Sequence, residues 1–186
     1  MAYYNNPDID WSTVAENGGG AGRFEPGGYV VRITHAEWGD GCIEVVWDVA
    51  EGDRAGFFDG ADEWRHRQRV WYKGRAQGMF KHFLATVERS NPGSGFSADR
   101  FDNNAEALEG LLVGALVQTY YYWSTKYDES RDSLEIAIWK DADDIRTGNY
   151  TLPEPRDART GAQRAAADAV AAMGAVKAAD PDDIPF

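Results

Sequence analysis

Residues 64–87 read WRHRQRVWYKGRAQGMFKHFLATV and contain no acid, in a chain with Lys+Arg 19 and Asp+Glu 31. Read as a strand from Trp64 to Lys73, this stretch alternates its side chains between two faces. Arg65, Arg67, Arg69, Trp71 and Lys73 share one face, and His66, Gln68, Val70 and Tyr72 share the other. Arg75 continues the cationic set just beyond. A row of cations is costly to bury, so it faces solvent or an anion. Single-stranded nucleic acid suits such a row: cations track phosphates, and aromatic faces stack on unpaired bases. The plain alternative is a solvated edge strand kept soluble by its charges.

Other aromatics are candidates for the same work. Tyr120, Tyr121, Tyr122 and Trp123 run consecutively, so a strand sends them to both faces; Tyr122 is taken as an exposed member. Trp139 alternates with Ala137 and Glu135, opposite Leu134, Ile136 and Ile138, and is expected as an exposed plate. Trp47 shares its face with Ile43, Val45 and Val49 and is expected in the core. Trp38 lies at a turn and its side is open.

Catalytic patterns are weak. His35, His66 and His82 have no ligand spacing with Cys42 or with one another, so no metal site is expected. The run GGGAG lacks the Lys-Ser/Thr ending of a phosphate loop. Asp141, Asp143 and Asp144 could suggest a nuclease metal site, but an acidic strand end is the commoner meaning of such a cluster. No Ser or Cys has a recognisable activating partner. The chain is read as non-enzymatic and free of cofactors.

The elements that must position these residues follow from periodicity. Residues 1–28 form a leader ending in the Gly-rich ENGGGAGRFEPGG. YVVRITHAEWG and CIEVVWDVAEG alternate as strands around the turn Gly39–Gly41. The third strand is the cationic stretch itself. RAQGMFKHFLATVERSNPG reads as a helix with Met79, Phe80, Phe83, Leu84 and Val87 on one stripe, ended by Asn91, Pro92 and Gly93. NNAEALEGLL suggests a short helix capped by Asn103 or Asn104. LVGALVQTYYYWST and SLEIAIWKDADD are two more strands, joined by the loop KYDESRD. Five strands with a helix between the third and fourth is the order of a five-stranded OB-fold barrel, here over residues 29–150. Residues 151–179 form a Pro-containing, Ala-rich linker, partly helical by propensity and poor in large apolar residues with which to dock.

The whole chain has 186 residues and a formal net charge of −12, which suits one domain with appendages. The acidic total argues weakly against nucleic acid, but the distribution of charge decides binding more than its sum. No run is apolar enough to span a bilayer. The start MAYYNNPDID does not resemble a secretory signal. The single Cys42 cannot form an internal disulfide, which fits a reducing cytoplasm, that of a bacterial host cell on the reading below.

The chain ends in DPDDIPF, residues 180–186. This tip resembles the acidic C-terminal tip of bacterial single-stranded DNA-binding proteins. The resemblance implies an OB domain that binds DNA, a flexible linker, and a tip that recruits recombination, repair or replication enzymes. On that likeness Phe186 enters a partner's pocket with its ring and carboxylate. Asp182 and Asp183 meet basic residues at the rim, and Ile184 and Pro185 complete the ligand. The usual tip has a longer acidic run, whereas here Pro181 interrupts it. The stretch GGYVVRITHAEWGDGCIEVVWDVAEGDRAGFF is similar in cadence to small phage OB-fold single-stranded DNA-binding proteins, with Trp47, Val49, Gly52 and Gly56 at the matching positions.

The expected function is therefore binding and protection of single-stranded DNA in phage replication or recombination, with partners recruited through the tip. A phage annealing protein is one such partner. The rivals are a single-strand annealing protein and a carbohydrate-binding β-module, with a small nuclease as a third. No membrane contact is expected, and oligomeric state, including a homo-oligomer, is open.

Overall fold

In the computed structural model, which describes residues 24–102 and 104–177, the elements follow in this order: β1 (Gly27–Trp38), β2 (Cys42–Val49), β3 (Arg67–Trp71), α1 (Gln77–Ser90), β4 (Leu112–Ser124), β5 (Glu129–Lys140), α2 (Ala142–Arg146), β6 (Arg156–Asp157) and α3 (Gly161–Lys177). The strands form one sheet in the order β3-β2-β1-β4-β5, antiparallel throughout, with β6 adding a short parallel pairing to β4 at Tyr120 and Tyr121. The class is mixed β with helices, and α1 falls between β3 and β4 as expected. The expected barrel is not closed by a ladder: among the described residues β3 and β5 remain the outer strands of this order. One side chain bridges them, with the Ile136 backbone N–H donating to Gln68 Oε1 at 3.2 Å.

The β1–β2 hairpin forms because both strands alternate and the turn between them has the right residues. Gly39 N–H donates to the Cys42 carbonyl at 2.9 Å, and Gly41 sits at φ +80, a conformation that favours glycine. Ile43, Val45, Trp47 and Val49 all enter the core from β2, as the sequence pattern predicts. On β1, Val31 and Ile33 point inward. An extra residue at Thr34 then shifts the register, so that Ala36 becomes the next buried position.

Helix α1 closes the inner face with Phe83, Leu84 and Val87, each fully or almost fully buried. Burial of each contributes about 1.5–3 kcal/mol. The expected stripe is corrected at its start: Met79 is 68% exposed, and Phe80 is only partly buried. The buried side instead takes in Thr86 and Ser90, whose hydroxyls donate to the His82 and Thr86 carbonyls at 2.7 and 2.8 Å. Asn91 ends the helix and ties it to β4. Its Nδ2 donates to the Val87 and Leu112 carbonyls, both at 2.7 Å, and its Oδ1 accepts from Leu112 N–H at 2.9 Å. The expected helix after Asn104 is a single 3-10 turn, Ala105–Leu108, without a side-chain cap. Asn103 lies outside the described residues.

The β4–β5 hairpin is longer than its pattern suggests. Residues 129–132, expected in a loop, pair with β4 down to Glu129, and Asp128 takes φ 52 in the tight turn. Within β5 the register passes from Ile138 opposite Leu116 to Ile136 opposite Val117, leaving Ala137 as an extra residue. One extra residue reverses the faces on either side of it. Trp139 therefore shares the inner face with Leu134 and Ile136, while Ile138 is exposed.

Short helix α2 packs on β4 and β1. Gly114 permits this approach, because a Cβ there would lie 2.7 Å from Ile145 Cγ1 and 2.7 Å from the Lys140 carbonyl oxygen. The linker contains helix α3, in line with its Ala-rich composition. Arg159 bonds both oxygens of Asp157 at 2.9 and 2.8 Å and Ser130 Oγ at 2.9 Å, fastening the start of α3 to the hairpin. No helix of the described residues is long and apolar enough to cross a membrane.

Candidate nucleic-acid interface

Strand β3 is an outer strand, and its alternation presents the expected set. Arg67, Arg69 and Trp71 are exposed, Val70 is buried, and Gln68 lies between. Trp71 is 50% exposed. The strand is shorter than Trp64 to Lys73, so Arg65 belongs to a 3-10 turn, Glu63–Arg65, while Lys73 lies just before a second such turn, Gly74–Ala76, and Arg75 lies in it. His66, just before β3, is buried against Phe58 with ring centroids 4.8 Å apart. Burial lowers its pKa, which favours the neutral imidazole.

The turn before β3 adds an aromatic that periodicity does not single out. Trp64 is 73% exposed, and the Arg65 guanidinium lies 5.6 Å from its ring centre. The Trp64 indole N–H donates to Asp62 Oδ2 at 3.3 Å, which limits the ring's rotation. Arg65, Arg67, Arg69, Trp71, Lys73 and Arg75 thus follow one another along one edge, with Trp64 at its head. Arg75 has no ion-pair partner among the described residues.

The cations of this edge are not bare. Arg67 Nη1 bonds Glu37 at 3.1 Å and Glu44 at 2.8 Å, and its Nη2 bonds Glu63 at 2.8 Å. Arg69 Nε bonds the other oxygen of Glu44 at 2.8 Å, and Lys73 Nζ bonds Asp40 at 2.8 Å. Hydrogen bonds from Arg67 and then Arg69 hold the Glu44 carboxyl below its ordinary pKa, and Lys73 does the same to Asp40. The acid-free stretch therefore meets its acids from β1, β2 and the preceding loop. Glu44 stands opposite Arg69 only because the β2–β3 register puts it there. A hydrophobicity pattern contains no such information.

The remaining candidates lie elsewhere. Tyr122 is on the β4–β5 hairpin, stacked on Tyr120 at 5.7 Å and 15°, with Arg131 opposite it in the ladder. In the sheet order, β2 and β1 stand between it and β3. Trp139 is not an exposed plate: the Ala137 bulge turns it inward, where it packs on Phe83 at 4.9 Å. The three aspartates after β5 are each engaged. Asp141 takes a forked contact from Arg89, with its shortest bond 2.8 Å; Asp143 bonds Arg146 at 2.6 Å; Asp144 accepts from Asn149 at 2.9 Å.

The hairpin end forms a second gathering of rings and cations. Arg131 lies 3.9 Å and Lys126 5.0 Å from the Tyr127 ring centre, and Arg156 lies 5.0 Å from that of Tyr120. The partner-recruiting candidates Asp182, Asp183, Ile184, Pro185 and Phe186 lie outside the described residues, as does the leader before Phe24. Comparison of the chain with protein-family models, with curated proteins and with solved structures finds no match.

Proposed function

We propose that this chain is a non-enzymatic, OB-fold type single-stranded DNA-binding protein of phage replication or recombination. It binds along the β3 edge and recruits partners through residues 180–186. The observation that carries this reading is the exposed run of Arg67, Arg69 and Trp71, continued by Trp64 and Arg65 before the strand and by Lys73 and Arg75 after it. Cations alternating with open rings serve a charged backbone with unpaired bases better than they serve a duplex. The strand order, the position of α1 and the Gln68 bridge between the outer strands support the OB-fold assignment. The tip's role rests on its sequence.

The paired carboxylates shape how such binding works. A phosphate reaching Arg67 or Arg69 must replace Glu63, Glu37 or Glu44, so part of each new attraction is spent on an old one. Affinity per cation is then lower than for bare arginines, and Arg75 makes the least encumbered contact.

The test is binding of a labelled single-stranded oligonucleotide over a salt series, with duplex of the same sequence as control. The expected result is a clear preference for the single strand that weakens as salt rises. Equal binding to duplex, or none to either, would end the reading. Large rings or filaments on DNA would favour an annealing protein. Binding to an oligosaccharide alone would turn Trp64 and Trp71 into sugar platforms.

A further inference from the structure

We infer that the cleft beside the seam between β3 and β5 is a pocket for one unpaired nucleobase. The inference rests on the single-strand reading above and deepens it, because the cleft adjoins the head of the cationic edge. It measures about 480 Å³, and its walls include Phe57, Trp64, Arg65, Asp132, Ser133 and Leu134. That volume falls within the range of small-molecule sites, which are mostly apolar with a few polar groups for orientation.

Desolvation decides which part of a nucleotide enters. The interior is walled by Phe24, Trp47, Phe57 and Phe58, so a phosphate would lose its hydration there with nothing to replace it. Arg65 lies at the cleft and Arg67 follows it on β3, so the phosphates are held outside along the edge. The part that is flat, apolar on its faces and uncharged is the base. Trp64 offers it a ring with most of its surface open, and Leu134 and Phe57 supply apolar wall. A neighbouring hollow of about 360 Å³ shares Asp132 and Leu134 and reaches Tyr121. The strand's path accordingly continues from β3 across the seam toward the β4–β5 hairpin.

The full-length chain is tested with oligothymidylate and with a deoxyribose-phosphate polymer of equal length that lacks bases. Two variants are compared with the wild type. Trp64→Ala removes the open ring, and Leu134→Trp fills the cleft from its β5 wall. Each should lose about tenfold in affinity for oligothymidylate, as expected for one stacked base. Neither should change affinity for the base-free polymer or the salt dependence. Because the variants act from opposite walls, one that fails to fold leaves the other to answer. Wild-type-like binding of oligothymidylate by a folded variant would overturn the pocket, as would equal losses on both polymers. A wild-type chain that binds neither polymer would overturn the broader reading and the pocket with it. A wild type that binds while the variants match it overturns the pocket alone.

Discussion

Glu44 accepts from two arginines at once, and its neighbours Glu37 and Glu63 share one of them. Its removal should therefore strengthen binding. Glu44→Gln keeps the shape and a carbonyl acceptor but frees Arg67 and Arg69 of a charge. Single-strand affinity should rise several-fold and its salt dependence should steepen, as read by fluorescence anisotropy. Arg69→Ala should do the reverse, reducing the log–log salt slope by at most about 0.7. An unchanged slope in both variants would mean that phosphate does not contact this pair. Trp71→Ala belongs to the same scale. The ring is half exposed, so its loss should cost about 1–3 kcal/mol of binding while leaving thermal unfolding near that of the wild type.

At the scale of elements, Asn91 and Asp157 are the joints. Asn91 satisfies a helix-end carbonyl and both backbone groups of Leu112, so Asn91→Ala strands three polar partners. A loss of about 2 kcal/mol is expected, read as a lower urea midpoint with an unchanged slope. The joint at α3 should be sensitive to acid. Arg159's hydrogen bonds bring the Asp157 carboxyl from 3.8 down to about 2. A depressed folded-state pKa contributes stability above the unfolded value and loses it as pH falls through the folded one. Docking of α3 on the hairpin should accordingly persist at neutral pH and fail between about pH 4 and 2. Amide chemical shifts around Ser130 and Arg159 would record it, and Asp157→Asn should remove the pH dependence.

These joints also mark where the sequence was legible. Strands β1, β2 and β4 and helix α1 follow from alternation and from a 3.6-residue stripe, because burial on one face imposes those periods directly. Trp47 was placed correctly by the company it keeps. Trp139 was not, since one unpaired residue at Ala137 reverses the faces on its two sides, and alternation cannot reveal where a strand skips. Met79 fits the stripe by number but is exposed in the first turn of α1, where Phe80 instead packs toward Trp38 and Tyr72. The Arg67 and Arg69 face was legible from spacing. Its carboxylates were not, because they come from other strands through register.

Across the whole molecule, on the proposed reading, a net charge of −12 makes long-range attraction to DNA weak, so binding would rely on close contact at the cationic edge. Deleting residues 180–186 should leave binding intact or tighten it at low salt, since a free acidic tip competes for the same cations. Partner recruitment should be lost. Phe186→Ala keeps both aspartates and should nearly abolish partner capture, because a buried ring is the usual anchor of such a contact. DNA affinity should stay within error. Normal recruitment by Phe186→Ala, and equally by the truncated chain, would make the tip a mere solubilising fringe.

The contact between Gln68 and Ile136 also governs how the molecule yields. Neighbours in the order β3-β2-β1-β4-β5 are fastened by ladders of several rungs, whereas among the described residues β3 and β5 share one hydrogen bond, made by the rotatable Gln68 amide, with α1 packed on both strands. A turn about the Gln68 torsions releases it, while parting any ladder requires several rungs to fail together. The soft line of the molecule thus runs lengthwise past Trp64 and Leu134. It should open on the timescale of side-chain and loop motion, nanoseconds to microseconds, without unfolding. In deuterated water the Ile136 amide should exchange ahead of its neighbours on β5, and earlier still in Gln68→Ala. On the proposed reading, a molecule that gives along this line would close on the middle of a long strand from the side, as a clasp does, with no free end to thread.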